Sequence, residues 1–361
     1  MRALALRRLA SDAQPRQARA AVTRLSYIDY HTCGEPVRIV ASGYPALAGA
    51  TILDKRRQAR ERYDHLRRAM MLEPRGHDGM YGVIPVAASH PEAAFGVLFT
   101  HNEGYSTMCG HATIALGRYA IEQGLVRATE PVTRFAIEAP CGLLRLACEV
   151  ADGKVDAVSF ESVPAFVEAR DLVVPVPGYG DVTTDIAYGG AYYCILPASR
   201  FGLDLMQTPV EEIVAAAGAL TDQVRASVSI THPTEPDLGF LYGTIVTDEA
   251  GPNEDSFNLC VFAERQIDRS PTGSGVTARM ALDHAKGLIS AGQSRRIRSI
   301  TGGAFTGKVI GPVDFPAAGA VTVEVGGRGH LSGEGSFVIE ADDPLGHGFV
   351  LPKRFAEIES S

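Results

Sequence analysis

Short β-like runs punctuated by Gly and Pro recur along the chain: Tyr27–His31, Arg38–Ala41, Phe95–Thr100, Thr133–Ala139, Leu143–Glu149, Tyr192–Leu196, Phe240–Val246, Phe257–Phe262 and Ala320–Val325. Four other stretches, Gln58–Met71, Cys109–Gln123, Pro209–Ala219 and Thr272–Lys286, carry apolar residues at spacings of three and four, the period of a helix. Strands outnumber helices, and the pattern predicts a mixed α/β class.

One offset repeats this pattern. Placing Cys109 over Thr272, 163 positions on, also superposes Phe99 on Phe262, Gly110 on Gly273, Ala115 on Ala278, Gly124 on Gly287 and Leu125 on Leu288. In each copy a β-like run ending in Phe leads through a polar loop to a small residue and Gly. An Ala-rich helix with few charges follows, then a Gly suited to the left-handed stop after a helix. A helix with so little charge around its circumference is expected to be buried on all sides. Upstream, Gly34 and Ile39 match Gly190 and Ile195 at an offset of 156. The expected architecture is two similar halves, about residues 25–180 and 181–340, each wrapping strands about a central helix, with the two helix starts facing one cleft. Residues 341–361 form a closing segment that returns to the first half.

Composition narrows the function. At 361 residues, roughly two domains of about 150 are expected. No run approaches the 18 or more apolar residues of a membrane-spanning helix. A formal charge of −8 argues against a nucleic-acid partner, which requires clustered Lys and Arg. Residues 1–24 stand apart: six arginines against Asp12 give +5, leaving −13 for the rest. An Arg-rich, acid-poor start reads as a disordered extension or an organelle import signal. The six cysteines are scattered, with no C-x-x-C pair, so reduced thiols in the cytoplasm are expected. The partner class is a small-molecule substrate, and a homodimer is compatible.

The two helix starts are the candidate site. The first four N–H groups of a helix lack internal partners, and the aligned peptide dipoles add about half a positive charge there. Two such ends converging suit a carboxylate. Gly110 and Gly273 let the backbone approach it, and the N–H groups of Gly110, His111, Gly273 and Ser274 are the expected donors. Cys109 and Thr272 then stand on opposite sides of the bound molecule, and a thiol at a helix start is expected to be acidic. That arrangement suits removal of a proton from the carbon beside a carboxylate. Cys109 as a small buried side chain and Thr-Gly-Ser-Gly as a capping turn account for each motif alone, but not for their repetition. Cys109 and His111 fall short of the three or four ligands of a zinc site, so no metal is expected. Residues two apart in a helix point in different directions, so His111 is not expected to activate Cys109 directly.

Four motifs make the resemblance specific: His-Thr-Cys-Gly-Glu-Pro (31–36), Pro-Arg-Gly-His-Asp-Gly-Met-Tyr-Gly (74–82), Met-Cys-Gly-His-Ala-Thr (108–113) and Asp-Arg-Ser-Pro-Thr-Gly-Ser-Gly (268–275). In this order, over about residues 26–350, the chain resembles the proline racemase family. The resemblance implies a diaminopimelate-epimerase-like fold of two pseudo-symmetric α/β halves, no cofactor, and a proline-type imino acid held between two residues working on opposite faces of its α-carbon. It also implies that Asp268 accepts a hydrogen bond from the ring ammonium; the alternative is a surface or capping carboxylate paired with Arg269. Racemases and 4-hydroxyproline epimerases of the family carry cysteine at both positions, whereas Thr272 stands at the second here. A hydroxyl is too weak an acid to replace a thiol near neutral pH. The Cys-and-Thr combination resembles the family's trans-3-hydroxy-L-proline dehydratases, which implies a hydro-lyase in which Cys109 removes the C2 proton while Thr272 positions substrate or water. A same-family racemase or epimerase, and a non-catalytic amino-acid-binding relative, are the competing readings. His31, Glu35, Arg75, His77 and Asp78 lie in family-like motifs without an assigned role, and Cys33, Cys141, Cys148, Cys194 and Cys260 are expected to be structural.

Overall fold

The computed structural model describes residues 22–251 and 253–352. All nine predicted strand runs fall on strands, and the strand pairing repeats along the chain. In the first half Val22–Thr32 pairs antiparallel with Glu35–Ser42, which runs parallel to Tyr81–Val86. The ladder continues antiparallel to Ala93–His101, parallel to Val132–Ala139, and antiparallel through Gly142–Ala151 and Lys154–Glu161. The second half repeats this alternation. Gly180–Tyr188 and Tyr192–Pro197 are antiparallel, Leu241–Thr247 joins parallel, and Ser256–Phe262 joins antiparallel. Ser294–Arg298 then joins parallel, and Ala304–Pro312 and Val321–Gly327 close antiparallel. The matched glycines mark matched turns: Gly34 and Gly190 have φ of +85° and +97°, Gly124 and Gly287 of +69° and +72°. Such positive values suit residues without a Cβ.

Five helices are present among the described residues: α1 (Ile52–Arg62), α2 (Asp64–Met71), α3 (Gly110–Glu122), α4 (Val210–Ser227) and α5 (Gly273–Ala285). The stretch read as one helix over 58–71 is two, broken at Tyr63, whose ψ of 15° leaves the helical region. Helix α1 also starts earlier, at a capping box in which Thr51 and Asp54 each satisfy the other's backbone N–H. Helices α3 and α5 are the two central helices. Every residue of α5 from Gly273 to Asp283 is buried, as are all but one of α3 from Gly110 to Ala120, which is where helices this poor in charge belong.

The pairing crosses the expected division at 180/181. Phe166–Val176, the last strand before it, forms an antiparallel ladder with Gly180–Tyr188, the first strand of the second half. In return, Gly329–Glu340 crosses back to pair with Val22–Thr32 in the first half. Each half therefore gives the other one strand. A ladder between Lys154–Glu161 and Val321–Gly327 joins them again. The C-terminal segment continues onto the first half, where the Phe349 N–H donates to the Glu73 carbonyl at 3.0 Å and the Arg75 guanidinium reaches the Gly346 carbonyl at 3.0 Å. Of the stretch expected as an extension, Val22–Arg24 open the first strand, and 1–21 lie outside the described residues. Among the described residues no helix is long and apolar enough to cross a membrane.

The central helices meet start to start. A Cβ added to Gly273 would lie 2.6 Å from the Gly110 Cα, and one added to Gly110 would come closer still to Gly273. Gly110→Ala should therefore lower stability by about 1–3 kcal/mol despite the better helix propensity of Ala, as other overpacked positions do. Chemical unfolding monitored by circular dichroism measures this, and an unchanged midpoint would refute the contact.

Candidate active site

Both helix starts open into one small cavity. Cys109, Gly110 and His111 line it from α3, Thr272, Gly273 and Ser274 from α5, and Asp268 from the strand before α5. The sequence-predicted residues are thus brought together. The space left for the centre of a water molecule is about 20 Å3, room for a water and too little for a five-membered ring. A ring can enter only if the walls part. The first intrahelical bonds run from Thr113 N to Cys109 O and from Val276 N to Thr272 O. The N–H groups of Gly110, His111, Gly273 and Ser274 consequently have no partner within their helices.

Cys109 is the N-cap of α3 with extended φ and ψ of −146° and 111°, so the helical spacing rule does not govern its side chain. This corrects the expectation for His111: its Nδ1 lies 3.1 Å from the Cys109 Sγ. Its Nε2 lies 3.3 Å from the Pro36 carbonyl, which can only accept, so Nε2 carries the proton of the neutral ring and Nδ1 is left to accept from the thiol. Burial lowers the His111 pKa and keeps the ring neutral. The expectation of an acidic thiol is also corrected. Burial pushes Cys109 well above the usual thiol range, and the Ala112 N–H, acting the other way, does not overcome it. In this buried site the resting pair is a thiol hydrogen-bonded to an imidazole.

The opposite side differs in kind. Thr272 has φ of +64°, a strained value for a β-branched residue, and its buried Oγ1 finds no hydrogen-bond partner among the described residues. Ser274, the repeat equivalent of His111, has its hydroxyl 2.7 Å from that of Tyr193. Asp268 is buried and accepts the Ser270 N–H at 2.8 Å. It is not paired with Arg269, whose backbone N–H and guanidinium go to Glu35 at 2.7 and 3.2 Å. Asp268 is left as a pocket carboxylate without a described cationic partner.

Parts of the motifs without assigned roles brace the two helix starts, and Glu35 also lines the pocket. Thr32 Oγ1 donates to the His111 carbonyl at 2.9 Å, and Pro36 holds the His111 ring, so the first motif fixes the start of α3. Glu35, 1% exposed, ties that motif to Arg269 just before α5. Burial and then the nearby Asp268 raise its pKa, against the Arg269 N–H and guanidinium. Asp78 accepts from Gln266, and the Gly79 carbonyl from Arg269. Sequence reasoning missed Tyr81, Tyr193, Tyr242 and Phe262, which wall the pocket, and Cys260, read as structural but lining it opposite Asp268 in the strand register. Their strands read as ordinary core, and only the shared cavity singles them out. Among the described residues no group of three His, Cys, Asp or Glu is placed to hold a metal.

Comparison with known proteins agrees with this geometry. Residues 27–350 match the proline racemase family. A human trans-3-hydroxy-L-proline dehydratase is 52% identical over 336 residues, covering 91% of this chain and 94% of its own. A 3-hydroxyproline 2-epimerase of Burkholderia multivorans is 40% identical, covering 91% and 98%. Among solved structures, a hydroxyproline epimerase from Agrobacterium vitis with bound trans-4-hydroxy-L-proline superposes with a TM-score of 0.85 at 27% identity, over 91% of this chain and 96% of that one. Two pseudo-symmetric halves, one shared pocket and a family match across nearly the whole chain lead to one conclusion: this chain belongs to the proline racemase family.

Proposed function

We propose that the protein dehydrates trans-3-hydroxy-L-proline to Δ1-pyrroline-2-carboxylate. The observation that carries this reading is the asymmetry of the pocket: a thiol–imidazole pair on one side, a hydroxyl without proton-transfer capacity on the other. In the substrate the C2 hydrogen and the C3 hydroxyl lie on the same ring face, both opposite the carboxylate. One acid/base group on that face suffices. The substrate carboxylate seats on the two helix starts, and the ring ammonium on Asp268. The Cys109 proton passes to His111 Nδ1, and the thiolate takes the C2 proton while the helix ends stabilise charge growing on the carboxylate. The re-formed thiol gives that proton to the departing C3 hydroxyl, which leaves as water as the C3–O electron pair departs. The thiolate then recovers its proton from His111, and the enamine product tautomerises to the imine. Thr272 positions substrate or water. The cytoplasm suits six unpaired cysteines.

Incubation with trans-3-hydroxy-L-proline in deuterated water, followed by NMR, should show elimination. Recovery of the substrate without loss of water or exchange at C2 would leave only the binding role. Cys109→Ser should abolish turnover, and a variant that still eliminates water would remove Cys109 from the mechanism. Thr272→Cys should gain C2 inversion, detectable by chiral chromatography; a folded variant without it would contradict the two-face arrangement.

The pH profile follows from the directions of the two shifts. His111 is lowered from 6.5, so loss of activity through its protonation lies below that pH. Cys109 is raised from 9.0, so the thiol–imidazole pair persists through neutral pH. His111→Gln should lower kcat at pH 7 by about 10²–10⁴-fold and recover in part only as the pH rises well above 9, toward the raised pKa of the buried thiol. A variant slowed equally at every pH would show that His111 only shapes the site.

A further inference from the structure

Beside the catalytic pocket lies a second, larger chamber of about 420 Å3, within the range of small-ligand sites. Tyr242 lines both spaces. His101, which lines the chamber, packs edge-on against Tyr242 and Phe262 of the pocket wall with ring centroids 6.2 and 6.0 Å away. The chamber spans the two halves. Arg56, Arg57 and Arg60 reach it from α1 in the first, and Arg225 from α4 in the second.

Its charge is unbalanced. Four guanidinium groups face two carboxylates, Glu103 and Asp237. Asp237 is taken by Arg57 at 3.2 Å, and Glu103 accepts the Glu264 N–H. Arg225 donates to the Leu241 and Tyr242 carbonyls at 3.1 and 2.9 Å, which satisfies donors without neutralising its charge. Arg60 has no carboxylate partner among the described residues. Arg56 donates to the Tyr105 carbonyl at 2.7 Å, but its buried Nε finds no partner. A desolvated guanidinium with an idle donor, repelled by a like charge one helical turn away, is a costly arrangement that a bound anion relieves. Burial and then the charge of Arg60 lower the Arg56 pKa, and burial, with Arg67 and then Arg56 adding to it, holds His101 down at about 3, hence neutral.

We propose that this chamber binds a small polyanion, carrying its charge on phosphate or carboxylate oxygens, between Arg56 and Arg60 of one half and Arg225 of the other. The site is separate from the catalytic pocket and independent of the dehydration reading. A bound anion bridges the halves over the wall formed by His101 and Tyr242.

Isothermal titration calorimetry of the full chain with inorganic phosphate, and separately with citrate, at an ionic strength fixed with sodium chloride, tests this. One saturable site per chain is expected, and whichever anion binds identifies phosphate or carboxylate chemistry. Removing one charge-assisted contact through Arg56→Gln or Arg60→Gln should weaken it by about tenfold or more. No binding of either anion at millimolar concentration overturns the proposal. So does unaltered binding in both variants, which would place the anion at the helix starts instead. Should Arg56→Gln fail to fold, the more exposed Arg60→Gln decides alone.

Discussion

The structure depends on the contact between Gly110 and Gly273, where two helices meet start to start with no side chain between them. Each start carries partial positive charge and several unpartnered N–H groups, so bringing them together is electrostatically unfavourable until an anion sits between them. The strand ladders around each central helix and the strands exchanged between halves hold that contact in place. In the proposed mechanism the substrate carboxylate supplies the charge the arrangement lacks.

The repeat builds the pocket, and departures from the repeat set its chemistry. At the offset of 163, Cys109 faces Thr272 and His111 corresponds to Ser274, so two differences distinguish the sides. One side holds a thiol beside an imidazole, 3.1 Å apart, and the other a strained threonine beside a serine already bonded to Tyr193. In the proposed reading only the first side moves protons near neutral pH. Stereochemical inversion needs both sides, while loss of water from one ring face needs one.

Much of this was legible in the sequence, for identifiable reasons. Matched glycines and low-charge helices gave the repeat because left-handed turns and all-round burial constrain residue type strongly. The shared cavity of Cys109 and Thr272 followed from that symmetry, and the place of Asp268 from the resemblance to the proline racemase family. What stayed hidden was long-range or conformational. Nothing local in Phe166–Val176 or Gly329–Glu340 says that each pairs outside its expected half. The reach of His111 to Cys109 depends on an extended N-cap that spacing rules for helical residues do not cover. The raised thiol pKa reflects enclosure by Tyr81, Tyr193 and Tyr242, aromatic residues contributed by three separate strands.

The strand exchange has a consequence for biosynthesis. Val22–Thr32 leaves the ribosome well before Gly329–Glu340, the strand that covers one of its edges. Until translation reaches that point, the nascent chain carries an unpaired sheet edge beside an incompletely wrapped central helix. Completion of the amino-terminal half therefore waits for Gly329–Glu340 to be made, and the polypeptide must be protected from edge-to-edge association until then.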